Sequence, residues 1–368
     1  MFDKIVGQEK PLSILKNAIT KDKIANSYLF YGNNGIGKFT SALYFGMAIN
    51  CQNTSDGFPC GVCNSCKKFL NFTHPDFLYL FPTPKLDISV TGDIKLESVR
   101  KEYLAYLENK RSTPWKKFFF SKNTEIRIES IRMLEHKINF TPYEAKYKIY
   151  IIEDVHKVNI KTENAFLKTL EEPPKDSIII LTTSKPQDLL PTILSRCQKI
   201  QFSPLQENTI EKKLLQDTKV DATMAKMIAK IANGNMEKAL QLADQGFMEA
   251  RRDTDIFLQL ILEKDNEGFY KFSENFKSSA KNELLLEMIN YLIIWVTDIA
   301  YIEIAENQVI NIDKISLLKD FFRLNPNIAT YSGKIISKLE EMQRRLKGHV
   351  NQQLVLFEIY FYLTDFFH

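Results

Sequence analysis

A glycine-rich loop is the first segment of this chain whose residue types and spacing could do chemistry. Segment Gly32–Thr40 has the sequence G-N-N-G-I-G-K-F-T. The glycines let backbone N–H groups converge on an anion, and Lys38 can neutralise β- and γ-phosphates. The next residue of such a loop is normally Ser or Thr, whose hydroxyl binds Mg²⁺. Here it is Phe39, and Thr40 does not replace it, because one helical step rotates a side chain by about 100°. The candidate nucleotide-binding residues of this loop are Gly32, Gly35, Gly37, Lys38 and Thr40.

Four clustered cysteines, Cys51, Cys60, Cys63 and Cys66, form the second candidate site, with the spacing C-x8-C-x2-C-x2-C. The short spacings let paired thiolates bind one ion, and four thiolates complete a tetrahedral zinc site without an open catalytic position. We therefore predict a structural Zn²⁺ in a module at 51–66. The alternatives are an iron–sulfur cluster or four unrelated thiols.

Two acids, Glu153 and Asp154, follow the apolar strand predicted from Tyr147. After an upstream phosphate-binding loop, this pattern indicates a Walker B element, which delivers carboxylates to the edge of the sheet beside the phosphates and metal. The usual order is Asp for the metal and then Glu for the attacking water, so the order here is reversed. The alternative is a pair of solvated acids at a strand end.

The elements that would position these residues follow from the apolar pattern. Apolar strands alternate with helices from 27 to 202, which predicts a mostly parallel sheet flanked by helices. The predicted strands are 28–31, 76–81, 147–154, 177–182 and 199–202. Beyond 205 the spacing of apolar residues is helical, so we predict two all-helical domains.

Composition limits the function classes. The 368 residues are 44% apolar and 26% charged, with 49 basic and 45 acidic residues. This balance neither requires nor excludes nucleic-acid binding through a local basic face. Met1–Lys4 has no apolar signal core, so we expect no export. The most apolar helix, 284–304, carries Asp298 and other polar residues, which favours a buried helix over a membrane span.

The polar stretch 82–125 is predicted to be irregular. Within it, Trp115–Lys122 interleaves basic and aromatic residues, which could stack on single-stranded nucleic acid. The favoured interpretation is an insertion whose aromatic residues pack on the domain while its lysines are solvated.

Several motifs together resemble the bacterial clamp-loader subunits of the AAA+ ATPase superfamily. The shared segments are Val6–Gln8, the loop 32–38, the cysteine module, Leu170–Pro174 and Leu190–Cys197. The resemblance is close over 1–205 and weaker beyond. It implies an AAA+ nucleotide-binding-like domain at 1–205, a helical lid at 206–246 and a helical collar for oligomerisation at 247–368.

Within this family the chain is more similar to the delta-prime branch, which usually does not hydrolyse ATP, than to the gamma/tau motor. It starts at Met1 without the Arg-Pro-rich lead of gamma/tau and ends without a tau-like tail. His74–Asp76 and Thr141–Glu144 are similar to delta-prime residues at those places. In the lid segment Gly234–Leu240, Glu237 stands where the motor has a phosphate-sensing arginine.

The resemblance implies that Arg196 acts in trans, as an arginine finger for the ATP site of a neighbouring subunit. The implied partners are gamma/tau and delta subunits in a five-membered ring, the sliding clamp and primed DNA, in the cytoplasm and away from membranes. Phe39, the swapped acids and Glu237 predict poor hydrolysis of ATP by this chain itself. Lys38 and the glycines could still hold ADP or a bare anion, unless Phe39 fills that space. The alternatives are a gamma/tau-type motor relying on Lys38 and Thr40, or a small-molecule P-loop kinase.

Overall fold

The computed structural model describes residues 5–85, 97–115, 118, 120–158, 160–278, 281–348 and 350–367. These form two compact units. One comprises Met1–Thr209 with Asn233–Lys238, and the other comprises Ile210–Ala232 with Ala239–His368. The division of the helical part into a lid and a collar at 246 remains a prediction.

The first unit is built on a five-stranded parallel sheet with the order β2-β3-β4-β1-β5. The strands are β1 Ser27–Tyr31, β2 Phe77–Leu80, β3 Lys148–Ile152, β4 Ser177–Thr183 and β5 Gln198–Gln201. Every residue of β3 and β4 is buried, as expected for parallel strands covered on both faces. The predicted strands and the α/β fold class, a parallel sheet flanked by helices and followed by helical segments, are confirmed.

Helices cover both faces of this sheet. They are α1 Glu9–Thr20, α2 Lys38–Ile49, α3 Asn64–Leu70, α4 Glu97–Ser112, α5 Ile128–Ile138, α6 Ile160–Glu171 and α7 Pro191–Arg196. Neighbouring strand residues serve opposite faces, because side chains alternate along a strand. Phe30 packs in the core that contains α2, and Leu29 packs in the core that contains α5 and α6.

Helix α4 corrects the prediction that 82–125 is irregular. It carries Tyr103, Tyr106 and Leu107 on one side, and these pack against the core on the α2 face. Their spacing is helical, but the low apolar content of the surrounding residues obscured the pattern. Phe118 and Phe120 pack on Tyr106, with ring centroids 5.5 and 5.2 Å away. Residues 86–96, 116, 117 and 119 of this stretch lie outside the described residues.

The second unit is helical throughout its described residues. Its helices are α8 Glu207–Asp217, α9 Ala222–Ala232, α10 Met236–Leu242, α11 Gln245–Glu263, α12 Asn266–Ser273, α13 Asn282–Tyr301, α14 Ile315–Leu324, α15 Ile328–Lys347 and α16 Gln352–Thr364. The first three residues of α8 and of α10 belong to the first unit.

Helix α13 is long and apolar enough to cross a membrane by length and composition. Its packing is that of a core helix, because Ile289, Leu292 and Trp295 are buried in the largest apolar cluster of this unit. Asp298 is fully buried, and its carboxylate accepts hydrogen bonds from the backbone N–H groups of Ile310 and Asn311, each 2.8 Å long. This arrangement agrees with the predicted buried helix.

Helix α16 is apolar on nearly every side. Val355, Ile359 and Leu363 are buried in the core of the second unit. Leu354 and Phe361 remain 63% and 55% exposed. Part of the helix is therefore not covered by its own unit.

Candidate nucleotide and metal sites

The glycine loop lies between β1 and α2, as predicted. Strand β1 sits between β4 and β5, so the loop emerges at the carboxyl edge of the sheet. The Gly32 N–H donates to the Thr183 carbonyl at the end of β4, 3.3 Å away. Gly37 immediately precedes α2 with a φ of 93°, in the left-handed region that favours glycine. A P-loop backbone is therefore present.

Lys38 is 7% exposed and turned onto its own loop. Its Nζ donates to the Gly32 carbonyl, 2.8 Å away, and to the Asn33 carbonyl. Burial lowers the pKa of Lys38 to about 8, although the negative charges of Asp154, Glu153 and Glu237 partly oppose this shift. The loop lysine and the two acids are thus brought together, as the sequence predicts.

Side chains from distant segments cover the loop. A Cβ placed on Gly37 would lie 3.0 Å from the Trp115 ring, and one on Gly35 would collide with the Asn235 carboxamide. The Met236 N–H donates to the Gly35 carbonyl, 2.9 Å away, and so ties the 233–238 segment to the loop. Glu237 belongs to this segment, in agreement with its predicted place near the phosphate site.

Phe39 occupies the position of the missing hydroxyl and is buried, with 5% exposure. Its ring lies 4.6 Å from the ring of Tyr79 and 6.3 Å from that of Phe72, centroid to centroid. The Nζ of Lys110 from α4 lies 4.7 Å from the Phe39 ring centroid. Thr40 is buried one residue further along α2. An aromatic cluster therefore occupies the side of the site where a metal ligand is expected.

Glu153 is fully engaged by this cluster. Its Oε1 accepts a hydrogen bond from Lys110 Nζ, 2.8 Å away, and its Oε2 accepts from the hydroxyls of Tyr106, 3.0 Å away, and Tyr79. Burial, aided by the charge of Glu153, raises the pKa of both tyrosines well above the usual range. Both hydroxyls therefore stay protonated and serve as donors at neutral pH.

Asp154 follows with a left-handed backbone, at a φ of 52°. Its N–H donates to the Thr182 hydroxyl, 3.3 Å away, and its Oδ2 lies 3.1 Å from Lys157 Nζ. The two acids lie at the sheet edge as predicted, but each has a basic side chain as its partner. The residues present therefore do not fit Mg²⁺, because the hydroxyl ligand is absent and Glu153 already accepts three hydrogen bonds.

Arg196 is the last residue of α7 and is exposed. Its Nη2 donates to Glu171 Oε1, 2.7 Å away, and its Nη1 donates to the Thr192 carbonyl, 3.1 Å away. An exposed ion pair of this kind contributes about 0–1 kcal/mol. A new acceptor could therefore displace Glu171 at small cost.

The four predicted zinc ligands converge. The sulfur atoms of Cys51, Cys60, Cys63 and Cys66 all lie within 4.8 Å of one another. Tetrahedral Zn²⁺ with Zn–S bonds of about 2.3 Å requires sulfur separations of about 3.8 Å, which small side-chain adjustments supply. Backbone N–H groups point at the sulfurs, including that of Cys60 at Cys51 Sγ, 3.2 Å away. The N–H groups of Val62 and Cys63 point at the Cys60 sulfur and lower the pKa of the Cys60 thiol to about 6. The cluster fits a metal such as zinc, which would cross-link the segment between α2 and α3.

Replacing Lys38 with methionine is expected to stabilise the protein at pH 7. The folded-state pKa of about 8 lies below the ordinary value of 10.5. Burial of the charged form therefore costs on the order of 3 kcal/mol below pH 8, and this cost disappears as pH rises towards 10.5. Lys38→Met should raise the melting temperature most at pH 7, with a gain that shrinks between pH 8 and 10.5. Lys10→Met on the surface of α1 controls for the loss of one charge, and a constant gain across this range would contradict the assignment.

Sequence reasoning missed Lys110, Tyr106, Tyr79 and Trp115 as residues of the loop site. Lys110 and Trp115 lie in the stretch predicted to be irregular, and nothing local indicates that α4 returns to the loop. The helical spacing of Tyr103, Tyr106 and Lys110 was the sequence signal that could have identified α4 and its place beside the loop.

The chain is similar in sequence to subunits of DNA polymerase III. Residues 7–206 match the family model described as DNA polymerase III, delta subunit. The chain is 27% identical over 357 residues to subunit delta' of DNA polymerase III from Bacillus subtilis, covering 94% of this chain and 93% of that protein. It is 31% identical over 249 residues to subunit tau from the same organism, covering 66% of this chain and only 37% of that protein. A gamma subunit-related protein from Thermotoga maritima is a structural match with a TM-score of 0.46 and 15% identity, covering 98% of this chain and all of that one.

Proposed function

Since this chain belongs to the DNA polymerase III delta-subunit family, we propose that it is a clamp-loader subunit of the delta-prime type. In this role it would not hydrolyse ATP and would supply Arg196 in trans to a neighbouring site. The match to the Bacillus delta' subunit extends along 94% of the chain, whereas the match to tau covers 66%. The difference in extent supports the delta-prime assignment.

The observation that carries the proposal is that protein side chains already occupy the part of the nucleotide site where a metal ion would bind. Phe39 replaces the hydroxyl ligand, and Lys110 is bound to Glu153. Phosphoryl transfer depends on metal-bridged phosphates and on a positioned water, so a site without either function should not turn over. The loop glycines and Lys38 nevertheless retain the shape of a nucleotide cradle, and ADP or an anion remains a candidate ligand.

Arg196 provides the active contribution in this proposal. The guanidinium is partly exposed at the end of α7 and is held by an ion pair that contributes little energy. Placed beside the ATP of an adjacent subunit, it would neutralise charge that develops on the transferred phosphoryl group. The proposed partners are gamma/tau and delta subunits in a five-membered ring, the sliding clamp and primed DNA. The proposed location is the cytoplasm.

The purified chain with ATP, Mg²⁺ and primed DNA is expected to show no turnover above the background of a Lys38→Ala control. Phe39→Ser, which restores the hydroxyl in the sequence motif, should remain inactive because Lys110 still occupies Glu153. Release of inorganic phosphate measures both. Hydrolysis by the wild-type chain that depends on Lys38 would favour a gamma/tau-type motor, which the 31% identity to tau makes the second candidate.

A further inference from the structure

Lys110 is the least expected member of the nucleotide site. It comes from α4, a helix outside the P-loop and Walker B segments. Its side chain is 14% exposed, and that of its partner Glu153 is 18% exposed. The ammonium lies 4.7 Å from the centroid of Phe39 and 5.8 Å from that of Tyr106, so aromatic faces surround it beside the carboxylate.

The chemistry of this position is that of a cation site. A carboxylate at the end of β3 would, in a working P-loop site, stand beside a metal ion. Here the positive charge beside Glu153 is the ammonium of Lys110. The ring of Phe39 faces that charge and stands where the Mg²⁺-binding hydroxyl of Ser or Thr would be. Cation–π attraction to the ring and the charge-assisted hydrogen bond to Glu153 both stabilise the ammonium.

The support of α4 makes this arrangement rigid. Tyr106, one turn before Lys110, stacks 4.1 Å from Phe81 and donates a hydrogen bond to Glu153. Tyr103 also stacks on Phe81, 5.2 Å away. The helix is thus fixed to the sheet edge by aromatic packing, which holds the lysine in place. A mobile surface lysine would not be held in this way.

We propose that the ammonium of Lys110 is a built-in substitute for the divalent cation of this site, and that it excludes Mg²⁺ by neutralising Glu153. The inference rests on the proposed function, in which this chain does not hydrolyse ATP. It identifies the Lys110 ammonium as the group that prevents hydrolysis. It also assigns α4 a role, which is to carry the substitute cation into the site. Removal of the ammonium leaves the charge of Glu153 unpaired. Mg²⁺ can bind through one carboxylate while it keeps its water ligands, so it can then neutralise Glu153 even without the missing hydroxyl.

The test is rescue by metal, read as thermal unfolding of the zinc-loaded chain with Mg²⁺ as the only added probe. Lys110→Ala should lower the melting temperature by at least about 5 °C, because it leaves Glu153 uncompensated in a largely buried place. Millimolar Mg²⁺ should recover at least half of that loss. Wild type should show no Mg²⁺-dependent shift, and neither should Lys110→Ala/Glu153→Gln, which has no charge left to neutralise.

Lys101→Ala, at an exposed position of the same helix, controls for general effects of Mg²⁺ and of losing a lysine. Lys110→Met, which retains an apolar stem, takes the place of Lys110→Ala if the alanine variant does not fold, and the same response to Mg²⁺ is expected. Stabilisation of wild type by Mg²⁺ to the same extent, or no response of the Lys110 variant, would overturn the inference. The assay contains no ATP and no other subunit, so its failure is separate from that of the hydrolysis and arginine-finger tests.

Discussion

Arg196→Ala in a reconstituted clamp loader is expected to slow hydrolysis at the neighbouring ATP site by about 10³-fold or more, the contribution of an arginine finger. The guanidinium is partly exposed, and its strongest partner within the chain is Glu171, 2.7 Å away. Its removal should therefore cost the chain little stability while depriving the transition state of a charge. Single-turnover hydrolysis resolves the affected site from the remaining ones.

Lys199→Ala removes an exposed basic residue from the adjacent strand β5 and should leave hydrolysis unchanged. Size-exclusion chromatography should show intact rings for both variants, because neither change touches the apolar surfaces of the second unit. Normal single-turnover rates with Arg196→Ala would refute the arginine-finger assignment, even if the chain proves to be inactive alone.

Cys63→Ser is expected to remove the bound metal and to destabilise the first unit by about 4 kcal/mol or more, a loss typical of a lost metal cross-link. Cys63 also precedes α3, where its sulfur accepts the Cys66 N–H. A serine hydroxyl can accept the same hydrogen bond, so the expected loss comes from the metal cross-link and not from the helix cap. Atomic absorption should give close to one zinc per wild-type chain and almost none for the variant. The melting temperature should fall by about 10 °C.

Cys197→Ser is the matched control, because Cys197 is buried but lies apart from the cluster. This variant should keep its zinc and lose less stability. Iron together with visible absorbance in the purified protein would favour the iron–sulfur alternative. A metal-free wild type that melts as high as the metal-loaded form would contradict a structural role.

The sequence predicted the features that depend on residues close to one another along the chain. The β1–loop–α2 unit, the convergence of the four cysteines and the acids at the end of β3 all follow from short-range spacing, and the structure confirms their positions. Spacing also identified Phe39 as the residue that removes the metal hydroxyl. In each case the residues lie close together in the sequence, so periodicity and motif are sufficient.

Only the tertiary structure decided what occupies the site instead of a metal. Lys110 contacts Glu153, which is 43 positions away in the sequence. Asn235 lies against Gly35 although it belongs to the last segment of the first unit along the chain. No local pattern encodes such approaches, because they depend on how α4 and the 233–238 segment pack on the sheet. The sequence therefore identified a P-loop without its metal ligand, and the packing placed a lysine against the carboxylate that was left.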